Sequence, residues 1–444
     1  MRITSLAMLL IMVLSLPAQA LWPWGKKKAK RNAEPVLELY NDDERRGELV
    51  EPKPRPAKRE ETVSAKRVMK TAEEGSPSAQ LMLGRMYFEG RGGVEQSYEK
   101  AHRWFKASAK QGDPVAAFNY AICLDAGYGT EKNGAEALRW YEQAARQGIR
   151  EAQLNAALTY ETRDEYPKAI TFFRMAADAG DVGAMHKAAE LLLKRVDDPS
   201  ALADGVAYLE RGAAQGDHRA QVKLADCYQR GTGVTRDYAK MLNLLWLSAQ
   251  GGDAEAEAKI GYCFAKGVGT VKDSARAFKW YKTSAASGYA PAQVALGNCY
   301  IEGAGAERDL EQGLVWHRRA AEQGDMMGQF SLGAAYANGR GVPPDADKAF
   351  TWFRAAAEQG YPLAQFNVGA YYEEGIGVEA DASEAVKWYT RAASQKDVRA
   401  LVALAECYRE GRGVAPDREN AKRCLQHAAS LGSEEAAKLL RKSF

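Results

Sequence analysis

Ser97 and Lys100 have the spacing that most directly suggests covalent chemistry in this chain. Ser-x-x-Lys is typical of enzymes in which a serine hydroxyl attacks the carbonyl of a penicillin. Ser97 also stands where other parts of the chain place an acidic residue before a helical pattern, as at Asp273 and Asp309. A side-chain oxygen at that place accepts a hydrogen bond from a free backbone N–H. The sequence therefore predicts a helix cap at Ser97 and no catalytic residue.

The histidines and the Gly-x-Gly turns indicate no other active site. Five histidines occur at unrelated positions, without a His-x-x-x-His or His-Glu pair: His102, His186, His218, His317 and His427. No metal site is therefore predicted. The Gly-x-Gly turns are not followed by Lys-Ser/Thr and do not open a dinucleotide fingerprint. We expect no bound cofactor and no enzyme activity.

A recurring glycine reveals the elements that carry these residues. It occurs at Gly112, Gly148, Gly180, Gly216, Gly252, Gly288, Gly324, Gly360 and Gly432. The spacing is 36 residues, except for 32 between Gly148 and Gly180, and Lys396 fills the one missing place. A period in this range indicates stacked supersecondary units, each unable to cover its own apolar face.

The unit at 290–324 shows two amphipathic helices joined by a glycine turn. Helical spacing relates Ala292, Leu296, Cys299 and Tyr300 in the first helix, and Leu314, Trp316, Ala320 and Ala321 in the second. Acidic caps open the second helices at Asp237, Asp273, Asp309, Asp345, Asp381 and Asp417. We therefore predict an all-α fold, a right-handed α/α superhelical solenoid of about ten helix-turn-helix repeats.

The repeat pattern resembles that of the Sel1-like repeat family, which is similar to TPR proteins. One unit carries Leu332-Gly333, Tyr336, Gly339, Gly341-Val342, Ala349, Trp352, Ala356-Ala357 and Gly360, with Gly328 where the family usually has alanine. The match extends over about 76–432. Two units, at 151–181 and 182–217, lack the glycine loop. The resemblance implies a solenoid that binds other proteins.

The ends of the repeat array are predicted to be capped. Residues 61–75 look like an N-terminal capping helix, and 433–444 like a C-terminal one, because terminal repeats need a polar outer face. Before them, 21–60 mixes Lys, Arg, Asp, Glu and Pro and is predicted to be a basic, Pro-rich flexible linker. A basic arm that touches anionic lipid or cell-wall polymer is the alternative interpretation.

The first twenty residues read as a signal peptide. Arg2 precedes an apolar stretch, and Ala18-Gln19-Ala20 is a small-x-small cleavage site. We predict cleavage after Ala20, a periplasmic or secreted protein, and no integral membrane span afterwards. Basic residues just after the site leave an uncleaved anchor as the alternative. A net charge of +3 on this chain argues against nucleic-acid binding.

Five of the six cysteines share one repeat position. Cys123, Cys227, Cys263, Cys299 and Cys407 all precede the place of the first-helix tyrosine. Equivalent helices pack about 8 to 10 Å apart, which exceeds the roughly 4.4 to 6.8 Å between the Cα atoms of a disulfide. These cysteines are therefore predicted to fill the core. Cys424 replaces the tryptophan of the last repeat, so Cys407–Cys424 is the one plausible bridge.

The first helices are expected to line the concave side of the solenoid, where a partner would bind. The candidate partner-binding residues are Phe118, Ile122, Tyr262, Val294, Asn298, Ile301, Phe330, Phe366, Glu373, Glu406 and Arg409. Apolar and aromatic side chains flanked by polar ones would suit an extended peptide or a partner helix. The alternative is that Phe118, Phe330 and Phe366 pack between neighbouring repeats.

The sequence therefore predicts an exported protein–protein interaction scaffold. Its partner would be a protein or peptide of the envelope, of a signalling pathway or of a host, as the family resemblance suggests. The alternative is an envelope enzyme that acts on peptidoglycan or β-lactams, as a penicillin-binding or β-lactamase-like protein. The lack of a nucleophile–base pair or of metal-ligand spacing favours the scaffold.

Overall fold

A computed structural model describes residues 58–443, which form helices and no strands. In chain order the helices are α1 (Lys58–Glu73), α2 (Pro77–Glu89), α3 (Tyr98–Lys110), α4 (Pro114–Ala126), α5 (Gly134–Arg146), α6 (Arg150–Thr162), α7 (Tyr166–Asp178), α8 (Val182–Leu193), α9 (Pro199–Ala214), α10 (His218–Arg230), α11 (Tyr238–Gln250), α12 (Ala254–Lys266), α13 (Ser274–Ala286), α14 (Ala290–Glu302), α15 (Leu310–Glu322), α16 (Met326–Asn338), α17 (Ala346–Glu358), α18 (Pro362–Glu374), α19 (Ala382–Ser394), α20 (Val398–Glu410), α21 (Arg418–Ser430) and α22 (Glu434–Ser443).

First and second helices of the repeats alternate from α2 to α21, as predicted. The helices form two compact units, one ending at Asp237 and one beginning at Tyr238. Helices α1 and α22 lie where capping helices were predicted. The last three residues of the predicted linker, 58–60, belong to α1; the rest of it and the signal peptide lie outside the described residues. Within 58–443 no helix has both the length and the apolar character that a membrane span requires.

Side-chain caps start most of the second helices. Asp273, Asp309, Asp345, Asp381 and Asp417 each accept a hydrogen bond from a backbone N–H in the first turn of the helix that follows. These caps confirm the predicted starts. Because a cap satisfies a donor that the helix itself leaves free, each one fixes where its helix begins.

The second residue after the end of each second helix has a left-handed backbone. Gly324 and Gly360 have φ angles of 79° and 97°, which glycine adopts without strain. Lys396 holds the same conformation, with a φ of 66°, in the place where the periodic glycine is missing. The turn geometry is therefore kept even where the sequence departs from glycine.

Buried glutamines connect consecutive repeats in the second unit. Gln329, near the start of α16, donates from Nε2 to the carbonyl oxygen of Ala321 at the end of α15, at 3.5 Å. Its Oε1 accepts from Nε2 of Gln359, at 2.8 Å, just after α17. The same bonds join Gln293 to Gln323 and Gln365 to Gln395. We call this series the glutamine ladder; each bond in it satisfies a buried amide.

In several repeats an aromatic ring of the second helix packs on a glycine of the first helix. A Cβ atom on Gly333 would lie 2.8 Å from the ring of Phe353, and one on Gly369 would lie 2.6 Å from the ring of Tyr389. Both rings are fully buried. The Leu-Gly pair in the repeat pattern is thus explained by close packing of the two helices.

The five cysteines at the shared repeat position are buried, which confirms that they fill the core. Burial raises the pKa of the Cys407 thiol to about 11. Cys407 and the half-buried Cys424 pack in one apolar cluster. The bridge between them stays a prediction.

Candidate partner-binding site

Two candidate residues of the first unit lie inside the protein. Phe118 and Ile122, on α4, are 1% and 2% exposed. The ring of Phe118 lies 5.9 Å from that of Tyr141 on α5, centroid to centroid. Exposure was the expectation for these residues, and the structure corrects it, because this side of α4 packs on the second helix of its own repeat.

Two candidates of the second unit are also buried. Val294 is 7% exposed and Phe330 is 6% exposed. The ring of Phe330 lies between those of Phe353 and Tyr361, with centroids 5.5 and 5.0 Å away. At Phe330 the alternative of packing between repeats is the one that the structure supports.

The other candidates are at least partly accessible. Tyr262, Asn298, Ile301, Phe366, Glu373 and Glu406 are half-buried, and Arg409 is exposed. The ring of Phe366 lies 5.7 Å from that of Tyr389, and the Arg399 guanidinium lies 4.7 Å from the Phe366 centroid. Phe366 is therefore a partly covered aromatic side chain, fixed by its neighbours.

Charged groups near Phe366 form a connected network at the ends of α18 and α20. Glu373 accepts a hydrogen bond of 2.7 Å from the Tyr389 hydroxyl and forms an ion pair with Arg412. Arg412 also lies 3.6 Å from Glu406 and 3.1 Å from Glu410. Partial burial raises the pKa of Glu406. The network holds the carboxylates in place before any partner binds.

Tyr389 and Arg412 were missed in the sequence as parts of this surface. The sequence did contain a signal for the tyrosine. Glu373 and Tyr389 are 16 residues apart, and the first unit repeats this spacing with a carboxylate at Asp125 and a tyrosine at Tyr141. There the Tyr141 hydroxyl lies 3.5 Å from an oxygen of Asp125. The Arg412 contact spans 39 residues and follows no repeated spacing.

Two further candidate residues lie on α14, and one of them contacts a buried histidine. The side-chain oxygen of Asn298 lies 3.0 Å from Nε2 of His317, which belongs to α15. Burial lowers the pKa of His317 to about 4, so the imidazole is neutral at pH 7. Ile301, one turn after Asn298 on α14, lies beside Gly313 of α15.

The Ser-x-x-Lys motif forms a helix cap, as predicted. Ser97 Oγ accepts a hydrogen bond of 3.3 Å from the backbone N–H of Lys100, and the Lys100 ammonium lies 5.1 Å from the ring centroid of Tyr87. The hydroxyl is thus engaged by the helix end. Across 58–443 no three or more His, Cys, Asp or Glu side chains come together as metal ligands would.

Repeated pairs of helices define the class of helical repeat proteins, which typically serve as scaffolds for protein–protein interaction, and one family model matches most of the repeats in this chain. The Sel1 repeat family matches residues 77–113, 114–149, 151–181, 218–252, 254–289, 290–325, 327–361, 362–397 and 398–433. The chain belongs to the Sel1 repeat family. The atypical repeat at 182–217 is not among the matched stretches.

Individual relatives are more distant. An uncharacterised protein of Neisseria meningitidis serogroup B is 30% identical over 176 residues, which are 39% of this chain and 35% of the relative. The chain thus spans about a third of that relative's length. A protective antigen of uropathogenic Escherichia coli with an SLR fold is 29% identical, with a TM-score of 0.53, covering 86% of this chain and 91% of its own. A Sel1 repeat protein from Oxalobacter formigenes is 24% identical, with a TM-score of 0.48, over 85% and 89%.

Proposed function

We propose that this protein is an exported scaffold that holds a protein or peptide partner on its first-helix surface. The observation that carries the proposal is the fixed group of Phe366, Glu373 and Glu406. An aromatic side chain beside positioned polar groups is the usual composition of an interface anchor. Sel1 repeats supply the scaffold, because a stack of helix pairs offers a long surface for one partner.

The rest of the surface extends this anchor along the second unit. Tyr262, Asn298 and Ile301 are half-buried on the first helices α12 and α14. A partner that covers them would bury apolar area and leave the carboxylates near Phe366 to accept hydrogen bonds from its backbone or basic side chains. Because Tyr389 and Arg412 already hold Glu373, binding would cost little side-chain entropy there.

Export rests on the N-terminal sequence, which lies outside the described residues. We propose that the mature chain starts at Leu21, after Ala18-Gln-Ala20. N-terminal sequencing of the protein from fractionated cells checks this. Recovery of Met1 on envelope material would contradict cleavage.

The binding surface is tested by two phenylalanines at the same repeat position. Mature protein and its Phe330→Ala and Phe366→Ala variants are used for melting and for quantitative capture from the native envelope. Phe330→Ala should lose about 3 to 5 kcal/mol of stability, because the ring is core. Phe366→Ala should melt nearly normally and lose partner affinity by about 2 kcal/mol.

The carboxylates provide a second check on the same surface. Glu373→Gln retains the shape of the side chain but removes the charge, and Glu410→Gln makes the same change at an exposed member of the network. We expect the Glu373 variant to capture less partner and the Glu410 variant to capture about as much as wild type. Equal capture by wild type, Phe366→Ala and Glu373→Gln would refute the proposed surface.

A further inference from the structure

The second helices of the second unit carry an exposed apolar pair that the proposed first-helix surface does not include. Trp246 and Leu247, on α11, are 40% and 53% exposed. They are neighbours on the face of the helix that also exposes Asn243 and Gln250. Large apolar side chains at two adjacent exposed positions are costly to leave in water unless another surface covers them.

The equivalent positions in the other second helices of this unit are mostly polar. They hold Lys282–Thr283, Arg318–Arg319, Arg354–Ala355, Thr390–Arg391 and Gln426–His427. The repeat architecture therefore does not require apolar residues at these places. The apolar residues at Trp246 and Leu247 are therefore specific to α11, and packing within the repeat does not explain them.

Trp246 is held in place by a second tryptophan. Its ring lies 4.9 Å from that of Trp280 on α13, centroid to centroid, at an interplanar angle of 85°. This edge-to-face contact restricts the Trp246 side chain before anything binds. An exposed and already ordered tryptophan loses little entropy when a partner covers it.

The two helices that carry the tryptophans have a net positive charge. Helices α11 and α13 contain no aspartate or glutamate, but they contain Lys240, Arg276, Lys279 and Lys282. Lys279 and Lys282 lie three residues apart on the exposed face of α13, on either side of Trp280 in sequence. Neither forms an ion pair with a residue of the described chain, whereas Arg276 pairs with Asp273.

We propose that Trp246, Leu247, Trp280, Lys279 and Lys282 form a second docking site, which binds an acidic peptide segment of another protein. The segment would place an apolar side chain against Trp246 and Leu247, and its carboxylates on the two lysines. A lipid surface fits less well, because membrane-bound helices present a continuous apolar face, whereas Asn243 and Gln250 interrupt the face of α11.

Binding of labelled peptides to the full mature chain tests the site. The probe is a fluorescein-labelled helical peptide with leucines along one face and glutamates at the positions that flank them. One comparison peptide has lysine for every glutamate, and a second has serine for every leucine. We expect measurable anisotropy binding for the first peptide alone. Its affinity should fall as salt rises from roughly 0.05 to 0.3 M, because the lysines contribute through screened charge.

Substitutions borrowed from other repeats locate the binding. Trp246→Gln with Leu247→Thr introduces residues that occupy these positions at Gln426 and Thr283, and should reduce affinity at least about tenfold. Lys279→Gln with Lys282→Gln should weaken binding and flatten its salt dependence. Arg354→Gln, at the position equivalent to Trp246, is the matched control and should bind like wild type. Melting curves establish that each variant is folded.

Three outcomes would overturn the proposal. These are no binding of the acidic peptide to wild type, equal binding of the lysine peptide, and equal loss of affinity in the Arg354→Gln control. The last measurement is binding of the protein to vesicles of phosphatidylglycerol and phosphatidylcholine. Binding to these vesicles that depends on Trp246 and Leu247, without binding of the peptide, would replace the protein partner by a membrane.

Discussion

The repeats at 290–397 and those at 151–217 are connected by different interactions. In the first region the glutamine ladder joins each first helix to the second helices on both sides, through buried amides. In the second region Gln153 still donates to the carbonyl of Ala145, but its side-chain oxygen is buried without a partner. Ala179 stands where the ladder needs the next glutamine.

In the atypical repeats at 151–217, ion pairs also connect neighbouring helices. Lys187 on α8 forms an ion pair of 3.0 Å with Glu161 on α6, and Arg211 on α9 forms one of 2.7 Å with Asp178 on α7. Exposed ion pairs of this kind contribute about 0 to 1 kcal/mol each. The comparison shows that helix stacking survives the loss of the ladder, with weaker links between repeats.

Substitutions in the loop between the two helices of a repeat should show the largest difference in stability between the two regions. In the regular repeats the second glycine of Gly-x-Gly packs on the start of the preceding second helix; a Cβ at Gly377 would collide with the carbonyl oxygen of Ala346. Gly377 also has a φ of 63°. We expect Gly377→Ala to cost about 2 to 5 kcal/mol, from left-handed strain and from overpacking.

The matched change in the atypical region is Asp164→Gly. Asp164 has a φ of 58° in a loop without the Gly-x-Gly pattern. Denaturant unfolding should show a gain of at most about 1 kcal/mol there. A small effect of Gly377→Ala, similar in size to that at Asp164, would mean that the loops of the two regions are equivalent.

Acid should destabilise the regular region through His317. The folded-state pKa is about 4, below the ordinary 6.5, because the ring is buried. The unfolded chain therefore takes up the proton first as pH falls, and the stability contributed by neutral His317 is lost between pH 6.5 and about 4. The pKa shift corresponds to a loss of about 3 kcal/mol in the free energy of unfolding.

The variant His317→Phe places at this position the residue found at Phe353, one repeat later. Its unfolding free energy should depend less steeply on pH than that of wild type over this window, while other titrating groups affect both proteins alike. Parallel pH profiles for the two proteins would show that His317 does not titrate as the structure implies.

Changes in the glutamine ladder should alter the free energy of unfolding by an intermediate amount. Gln359→Leu leaves the buried Gln329 oxygen without its donor, which costs about 1 to 3 kcal/mol. Ala179→Gln should do the reverse, by giving Gln153 a partner, and gain about 1 kcal/mol. Chemical denaturation gives the free energy of unfolding of both variants. If both changes reduce stability, the missing bond at Gln153 does not explain the difference between the regions.

The smallest effect is expected at Lys396. Its left-handed backbone strains a residue with a Cβ, so Lys396→Gly should stabilise by about 0.5 to 1 kcal/mol after the entropic cost of glycine. The converse change, Gly360→Lys, should cost about 1 to 2 kcal/mol. Melting temperatures compared with wild type check both. Destabilisation by Lys396→Gly would show that the lysine side chain has a packing role.

The sequence by itself determined the repeat, the helix pairs and the helix ends. These features depend on interactions within a few residues: a side chain at an N-terminus accepts from the next turn, and apolar residues recur at helical spacing. Ser97 and Asp309 could therefore be recognised as caps without any tertiary information, and the structure confirms both. The buried cysteines followed in the same way from their shared repeat position.

Tertiary structure decided which first-helix side chains remain accessible. Phe330 and Phe366 occupy the same repeat position, yet Phe330 is closed off by Tyr361 and Phe366 is partly open. The residue equivalent to Tyr361 in the next repeat is Asp397, and there Arg399 lies over the Phe366 ring. Burial of one side chain thus depends on the identity of another about thirty residues away, because neighbouring repeats share each interface. Helical periodicity describes one helix at a time and carries no information about that neighbour.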